Sequence, residues 1–176
     1  ITTPCKKCNG AGRIKDNIKL EVAIPAGIDN GQTFVIRGQG DEGLNNGPTG
    51  DANVTVAVKP HSIFEREGYD IHCEIPISYT QAVLGDEITV LTVDGKVTYD
   101  VAEGTQPATV FRLRNKGVPY VNGRGRGDQY VKIMIEVPKH LNTKQKEALK
   151  AYDQLVTDKH YEKKRGFFDK LKDAIK

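Results

Sequence analysis

Apolar and polar residues alternate along much of the chain, which is the period of a half-buried β-strand. Leu20, Val22 and Ile24 follow this pattern, and Phe34 and Ile36 follow it again after a turn signal. Glycine- and proline-containing segments separate such runs. The pattern predicts a mainly β protein built from short strands joined by turns.

The segment between residues 18 and 58 repeats between residues 95 and 135 at a constant shift of 77 positions, without a gap. The coinciding positions include turn glycines, a Gly-Asp pair and alternating apolar residues: Gly27 with Gly104, Gly50-Asp51 with Gly127-Asp128, and Val54, Val56 and Val58 with Val131, Ile133 and Ile135. Because turn residues coincide as well as apolar ones, we treat the match as a structural repeat. It predicts two tandem homologous domains of β-sandwich or barrel-like form.

The second copy is preceded by further predicted elements: a strand over residues 69–77, a short helix over 78–84 and a strand over 87–93. At the same shift, their counterparts in the first copy fall before or across residues 1–17. We therefore expect the first copy to lack its opening strands. This would leave sheet edges here that are paired in the parent protein.

The hydrophobic period changes after Pro138. Asn142 is a favourable N-cap, and Gln145 stands three residues later as its capping-box partner. The apolar residues that follow lie along one helical stripe: Ala148, Leu149, Tyr152, Leu155 and Val156. A helix at the end of a β chain must bury such a stripe, either on the second domain or against a second copy of itself.

Composition narrows the classes of function. The chain is 38% hydrophobic and 28% charged, which is typical of a folded protein, and its net charge is only +3. This balance favours neither nucleic acid nor an anionic membrane as a partner, and no apolar run is long enough to span a bilayer. No nucleophile triad or carboxylate pair stands out, so we expect no enzymatic activity. Three cysteines, an odd number, indicate a reducing cytoplasmic location rather than a disulfide framework.

The segment Cys5-Lys6-Lys7-Cys8 places two thiols at a spacing that can share a zinc ion, and the glycines that follow permit a tight turn. Two alternatives remain open. A dithiol oxidoreductase would use the same spacing, although no thioredoxin-like βαβ pattern surrounds it. A zinc-ribbon nucleic-acid binder is opposed by the near-neutral charge.

Residues 5–12, of the form C-x-x-C-x-G-x-G, resemble one of the four cysteine repeats of the DnaJ zinc region. Further motifs along the chain are similar to the same family: Ile24-Pro25-Ala26-Gly27-Ile28, Arg37-Gly38-x-Gly40, His61-x-x-Phe64-x-Arg66-x-Gly68, Arg114-x-Lys116-Gly117 and Phe167-Phe168-Asp169. From Cys5 to its last residue, the chain thus resembles the C-terminal substrate-binding and dimerisation region of a zinc-containing, bacterial-type DnaJ co-chaperone.

The resemblance implies four parts: residues 1–17 as a remnant of the zinc region, 18–60 as an incomplete first C-terminal β-domain, 61–138 as the second, and 139–176 as a helical dimerisation segment. Cys5 and Cys8 are then half of a four-ligand site. We expect zinc in the full-length protein and none bound stably in this chain. The DnaK-type ATPase partner is expected to require a J-domain, which this sequence lacks.

The resemblance also implies a function, the capture of unfolded polypeptide in a hydrophobic groove and at a sheet edge by a homodimer. The resemblance implies that Leu20 and Val54 line this groove. The alternation of apolar residues along the strands adds Val22 and Val56. Ordinary core packing is the alternative for all four side chains. The expected dimer contacts are the apolar residues of the helical stripe: Leu149, Tyr152, Leu155 and Val156.

Overall fold

The computed structural model describes residues 6–8, 14–44, 47–121 and 123–174, with only the backbone at 172 and 173. Within these ranges the elements follow in the order β1 (Thr33–Ile36), β2 (Ala52–Thr55), β3 (Glu65–Glu67), β4 (Asp70–Ser78), α1 (Tyr79–Leu84), β5 (Asp86–Thr92), β6 (Gly95–Val101), β7 (Val110–Leu113), β8 (Gln129–Glu136), α2 (Thr143–Leu155), a 3₁₀ turn (Asp158–His160) and α3 (Glu162–Ala174). The mainly β fold class with C-terminal helices is confirmed.

The strands form three sheets. β1 and β2 make an antiparallel pair, and β5 and β6 make a hairpin. The third sheet has the order β3-β4-β8-β7, in which the central strands β4 and β8 run parallel. We call residues 18–60, with β1 and β2, the first unit, and residues 61–138, with β3 to β8, the second unit.

The repeat seen in the sequence is also a repeat in the hydrogen bonding. Phe34 pairs with Val54 between β1 and β2, and the residues 77 positions later, Phe111 and Val131, pair between β7 and β8. The glycine loops match as well, because the Gly40 amide donates to the Gly50 carbonyl and the Gly117 amide to the Gly127 carbonyl, each at 2.8 Å. The two units therefore share strand register and loop closure.

The aspartate of the repeated Gly-Asp pair makes an equivalent side-chain contact in each unit. The Asp51 carboxylate accepts a hydrogen bond from the Gly38 amide at 2.8 Å, and the Asp128 carboxylate accepts one from the Asn115 amide at 2.7 Å. Gly38 and Asn115 both have a left-handed backbone, with φ of 66° and 56°. Each aspartate thus fastens the turn that follows the preceding strand.

The buried hydrophobic core of the described chain lies within the second unit. Its members are Ile71, Cys73, Ile77, Ala82, Ile88, Val90, Val101, Val131 and Ile133. The β5–β6 hairpin contributes to this core together with β4 and β8, which gives the unit a sandwich-like arrangement. No described residue of the first unit is buried to the same degree.

Most predicted elements of the second unit are confirmed. The strand predicted over 69–77 is β4, and the strand predicted over 87–93 is β5. α1 begins after Ser78, whose hydroxyl accepts from the Gln81 amide in a capping box. α2 begins after Asn142 with the predicted box to Gln145.

The strand predicted over Leu20, Val22 and Ile24 is wrong for the described chain, because this segment forms no strand. Its counterpart in the second unit is β6, which pairs along its length with β5. At the same shift, β5 corresponds to residues 9–15, of which 9–13 lie outside the described residues. A strand needs a neighbour for its backbone N–H and C=O groups, and alternation in sequence does not supply one.

Val131 and Val54 form a matched pair for testing how unequally the two units are packed. Val131 is fully buried on β8, whereas Val54 occupies the equivalent position on β2 and is only half-buried. We expect Val131→Ala to lower the free energy of unfolding by about 2–3 kcal/mol and Val54→Ala by less than about 1 kcal/mol. Urea unfolding followed by circular dichroism measures both, and equal losses would contradict the unequal packing.

Candidate functional site

The most distinctive surface of the first unit is the strand edge of β2. In the second unit, β8 pairs with β7 on one side and with β4 on the other, where the Ile71 amide donates to the Asp128 carbonyl at 3.0 Å. β2 pairs with β1 in the same way, but the described residues contain no strand on its other side. Among the described residues, no strand pairs with its remaining backbone groups, those of Asn53 and Thr55.

The four side chains predicted to line a groove fall into two pairs. Val54 lies on β2, and Val56 follows the strand end on the same face, with its amide bonded to the Gln32 carbonyl at 2.9 Å. Both are half-buried. Leu20, 38% exposed, and the half-buried Val22 lie in the segment that forms no strand. The structure thus brings Val54 and Val56 together and leaves Leu20 and Val22 unpaired with β2.

Large apolar side chains are unusually accessible in and beside the first unit. Six of them are each at least 44% exposed: Ile14, Ile18, Ile24, Val35, Leu44 and Val58. Scattered exposed apolar residues are normal, whereas a contiguous patch of them is typical of an interaction surface. The first unit therefore combines an open backbone edge with accessible apolar side chains.

A cavity of about 880 Å³ lies in the second unit, and the sequence did not predict it. It is lined partly by the outward face of the four-stranded sheet, where His72 stacks on Tyr130 with ring centroids 5.2 Å apart and Lys132 binds Glu74 at 2.8 Å. None of the four predicted groove residues lines it. The outward alternation of His72 and Glu74 on β4 was the available signal, but it did not reveal which residues would face them from β8.

The cysteines differ in their surroundings. Cys73 is buried, and the Gln129 side-chain amide donates to its sulfur at 3.3 Å. Burial raises the pKa of the Cys73 thiol, so the thiol stays protonated and chemically quiet, in keeping with a core residue. Cys8 is half-buried and unbridged, while Cys5 lies outside the described residues.

The described residues contain no group of three or more histidine, cysteine or acidic side chains that could hold a metal ion. Cys5 lies outside the described residues, so the predicted half site of Cys5 and Cys8 remains a prediction. Because a structural zinc ion takes four ligands, two cysteines supply only half of such a site.

One ion pair fixes the second glycine-rich loop. Arg126 donates to both carboxylate oxygens of Asp94, at 2.9 and 2.7 Å, and also to the Gly117 carbonyl at 2.8 Å. The hydrogen bond from Arg126 holds the pKa of Asp94 below its usual range. Arg126 therefore joins the β5–β6 turn to the loop between β7 and β8, which is a structural role.

The C-terminal helices leave apolar side chains uncovered. On α2, Leu149 is 44% exposed and Leu155 is 80% exposed. Val156 lies just beyond the helix as its C-cap residue, so it does not continue the stripe as a helical residue. Phe167, Phe168 and Leu171 are exposed on α3.

Tyr152 makes a contact within the chain. Its hydroxyl lies 3.1 Å from that of Tyr79 at the start of α1. Hydrogen bonding between the two hydroxyls raises the pKa of Tyr79 far above its ordinary value, so the Tyr79 phenol stays neutral. Tyr152 thereby ties α2 to the second unit, while Leu149 and Leu155 remain free on the helix surface.

Together these features define a class of protein, a tandem-repeat β scaffold that exposes a strand edge at one unit and apolar helices beyond the other. The family model described as DnaJ C terminal domain matches residues 5–138, and the model described as Chaperone protein DnaJ C-terminal region matches residues 144–176. The chain belongs to the DnaJ C-terminal domain family. The resemblance stated from the sequence motifs is confirmed.

Several curated relatives are similar over nearly the whole chain. The chaperone protein DnaJ of Acetivibrio thermocellus is 55% identical over 175 residues, which cover 99% of this chain and 45% of that protein. The chaperone protein DnaJ of Ruminiclostridium cellulolyticum is 55% identical over 176 residues, covering 100% and 46%. That of Clostridium tetani is 54% identical over 158 residues, covering 90% and 42%. The chain thus spans less than half the length of these relatives.

Among the described helices, none combines the length and the apolar character that crossing a bilayer requires.

The unequal surroundings of the cysteines predict unequal reactivity. We expect a thiol-alkylating reagent at neutral pH to modify Cys8 rapidly and Cys73 only after unfolding, because burial shields the Cys73 sulfur and raises its pKa. Peptide mapping by mass spectrometry, with and without denaturant, measures both sites. Fast modification of Cys73 in the folded protein would contradict its placement in the core.

Proposed function

We propose that this chain is the client-binding and dimerising part of a molecular co-chaperone. It binds unfolded or non-native polypeptides and suppresses their aggregation. In the full-length cytoplasmic protein, it passes them to a DnaK-type ATPase that is engaged through a J-domain. The match of the two family models to residues 5–138 and 144–176 is the observation that carries this proposal, and the accessible apolar side chains of the first unit support it. The chain performs no bond-making chemistry in this function.

An open strand edge suits clients of unrelated sequence. An extended segment that adds beside β2 satisfies its own backbone N–H and C=O groups whatever its side chains are. Selectivity for apolar segments then comes from the groove, to which we assign Leu20 and Val54, with Val22 and Val56 beside them. Burial of one large client side chain contributes roughly 1.5–3 kcal/mol, which supports weak and reversible capture.

We assign Cys5 and Cys8 to a zinc site of the full-length protein. Two thiolates supply half of a tetrahedral set, and the remaining ligands would come from further cysteine repeats. This chain alone is not expected to hold zinc stably. The ion would stabilise the fold around it and take no part in client chemistry.

A homodimer formed through the C-terminal helices completes the proposal. We assign the contact to Leu149, Tyr152, Leu155 and Val156. The exposure of Leu149 and Leu155 supports it, because an uncovered apolar stripe on a helix is stabilised by a partner surface. Two linked client sites would raise the affinity for a client that reaches both.

Leu20 provides the test of the groove. We expect Leu20→Asp to weaken the binding of a fluorescein-labelled apolar peptide by roughly 10-fold or more, because the charge replaces an apolar contact worth about 1.5–3 kcal/mol. Fluorescence anisotropy measures the affinity. Val137→Asp is the matched control, because it places the same charge on an exposed apolar position, 74% accessible, beyond β8.

The control should bind the peptide like the unmodified chain, and thermal unfolding should show the second unit intact in both variants. Equal affinities for the Leu20→Asp variant and the unmodified chain would remove Leu20 from the site.

The dimer is tested on α2. We expect the double variant Leu149→Asp/Leu155→Asp to be monomeric, because two charges on the stripe would have to be desolvated in the interface. Multi-angle light scattering measures the mass. Lys150→Asp adds a carboxylate to an exposed polar position of the same helix and should remain dimeric. A dimeric double variant would rule out this contact.

A further inference from the structure

One side chain of the second unit holds the first unit directly. Arg66, on the edge strand β3, donates from Nη1 to the Ile28 carbonyl at 2.7 Å and from Nη2 to the Gly27 carbonyl at 2.9 Å. These carbonyls belong to the turn that precedes β1. Asp29 of the same turn lies 3.7 Å from the guanidinium and adds a weaker electrostatic contact.

The guanidinium is also fixed on its own side. Arg66 Nε donates to the Gly68 carbonyl at 2.7 Å, inside the turn that joins β3 to β4, where Gly68 has a φ of 60°. The side chain is 24% exposed, so these bonds are only partly open to competition from water. A planar group held at three nitrogens fixes both distance and direction, which a lysine ammonium cannot reproduce.

The same turn approaches the second unit at a point where no side chain fits. A Cβ atom added to Gly27 would collide with the Pro119 carbonyl oxygen. Gly104, the repeat counterpart of Gly27, has a similar left-handed backbone, but a Cβ there would meet nothing within 4 Å. Glycine thus serves the turn in both units, and only in the first unit does it also permit contact between the units.

We propose that Arg66 is a positioning residue that, together with the bare backbone of Gly27, locks the two units into one fixed arrangement. The open edge of β2 then keeps a constant distance from the second unit and the helices beyond it. Resting on the proposed function, this joint would set the spacing between the client sites of a dimer. It would thereby favour clients whose apolar segments match that spacing.

The joint is tested by the distance between the units. Spin labels at Asn53→Cys and Thr98→Cys, both exposed strand positions, report this distance by double electron–electron resonance. Cys5→Ser and Cys8→Ser remove two of the three cysteines of the sequence, and the third, Cys73, is buried. We expect a narrow distance distribution in the otherwise unmodified chain. Arg66→Ala and Arg66→Lys should broaden it, whereas Asp29→Asn should leave it narrow.

Alanine variants of Gly27 and Gly104 test the joint a second time. This test does not depend on whether the arginine variants fold. Gly27→Ala and Gly104→Ala introduce the same strain at a left-handed position, but only the former collides with Pro119. We expect Gly27→Ala to shift or broaden the inter-unit distance and Gly104→Ala to leave it unchanged. Unaltered distributions in both the Arg66→Ala and Gly27→Ala variants would overturn the joint.

Peptide binding separates this inference from the proposed function. We expect Arg66→Ala to bind a single apolar peptide like the unmodified chain, but to lose roughly 10-fold in affinity for two such peptides joined by a spacer, because a loose joint lowers the effective concentration of the second site. Equal affinities of both proteins for the joined peptide would overturn the link between joint and client spacing. An unmodified chain that binds neither peptide would refute the proposed function, while the distance measurements would still decide the joint.

Discussion

The pairing of β4 with β8 is the interaction that makes the two units differ in how their equivalent strands, β8 and β2, are paired and buried. A strand needs hydrogen-bonding neighbours, and β8 has one on each side. Its apolar face also packs against the β5–β6 hairpin. β2 repeats the register of β8 against β1, yet it has no second neighbour in the described chain. Val131 and Val54 occupy equivalent positions of the repeat, but Val131 is fully buried and Val54 is only half-buried. What differs between the units is the set of neighbours and not the local pattern of residues.

This difference explains where reasoning from sequence succeeded. Turn glycines, Gly-Asp pairs and capping boxes act within a few residues, so the elements of the second unit and the start of α2 were predictable. The prediction of a strand at Leu20 was wrong because the alternation of apolar residues shows which face a strand would bury. It does not show whether a partner strand is present. Val156 likewise fits the apolar stripe but lies past the helix end, where the backbone is already extended.

The parts that escaped prediction depend on contacts between distant segments. Arg66 and its acceptor Gly27 are 39 positions apart, and the stack of His72 on Tyr130 arises only when β4 and β8 lie side by side. The motif His61-x-x-Phe64-x-Arg66-x-Gly68 did contain a signal. His61 stacks on Phe64, which packs on the core, and Gly68 turns the chain so that Arg66 reaches across. Spacing revealed a family pattern, but the three-dimensional roles required the fold.

An open edge is a liability as well as a binding surface, and the two units manage it differently. β4 is also unpaired beyond β3, from Glu74 onward, on the side opposite β8. There Pro76 has no amide to donate, and the Ser78 amide is already bonded to the Gln81 side chain at 2.9 Å. An extended segment would find only the Glu74 amide as a donor on this edge, next to a carboxylate. β2 carries no such block, because Asn53 and Thr55 each present an amide and a carbonyl. Beyond β3, the β4 edge therefore offers an added segment fewer backbone donors than the described side of β2 that carries Asn53 and Thr55, and this difference does not depend on apolar composition.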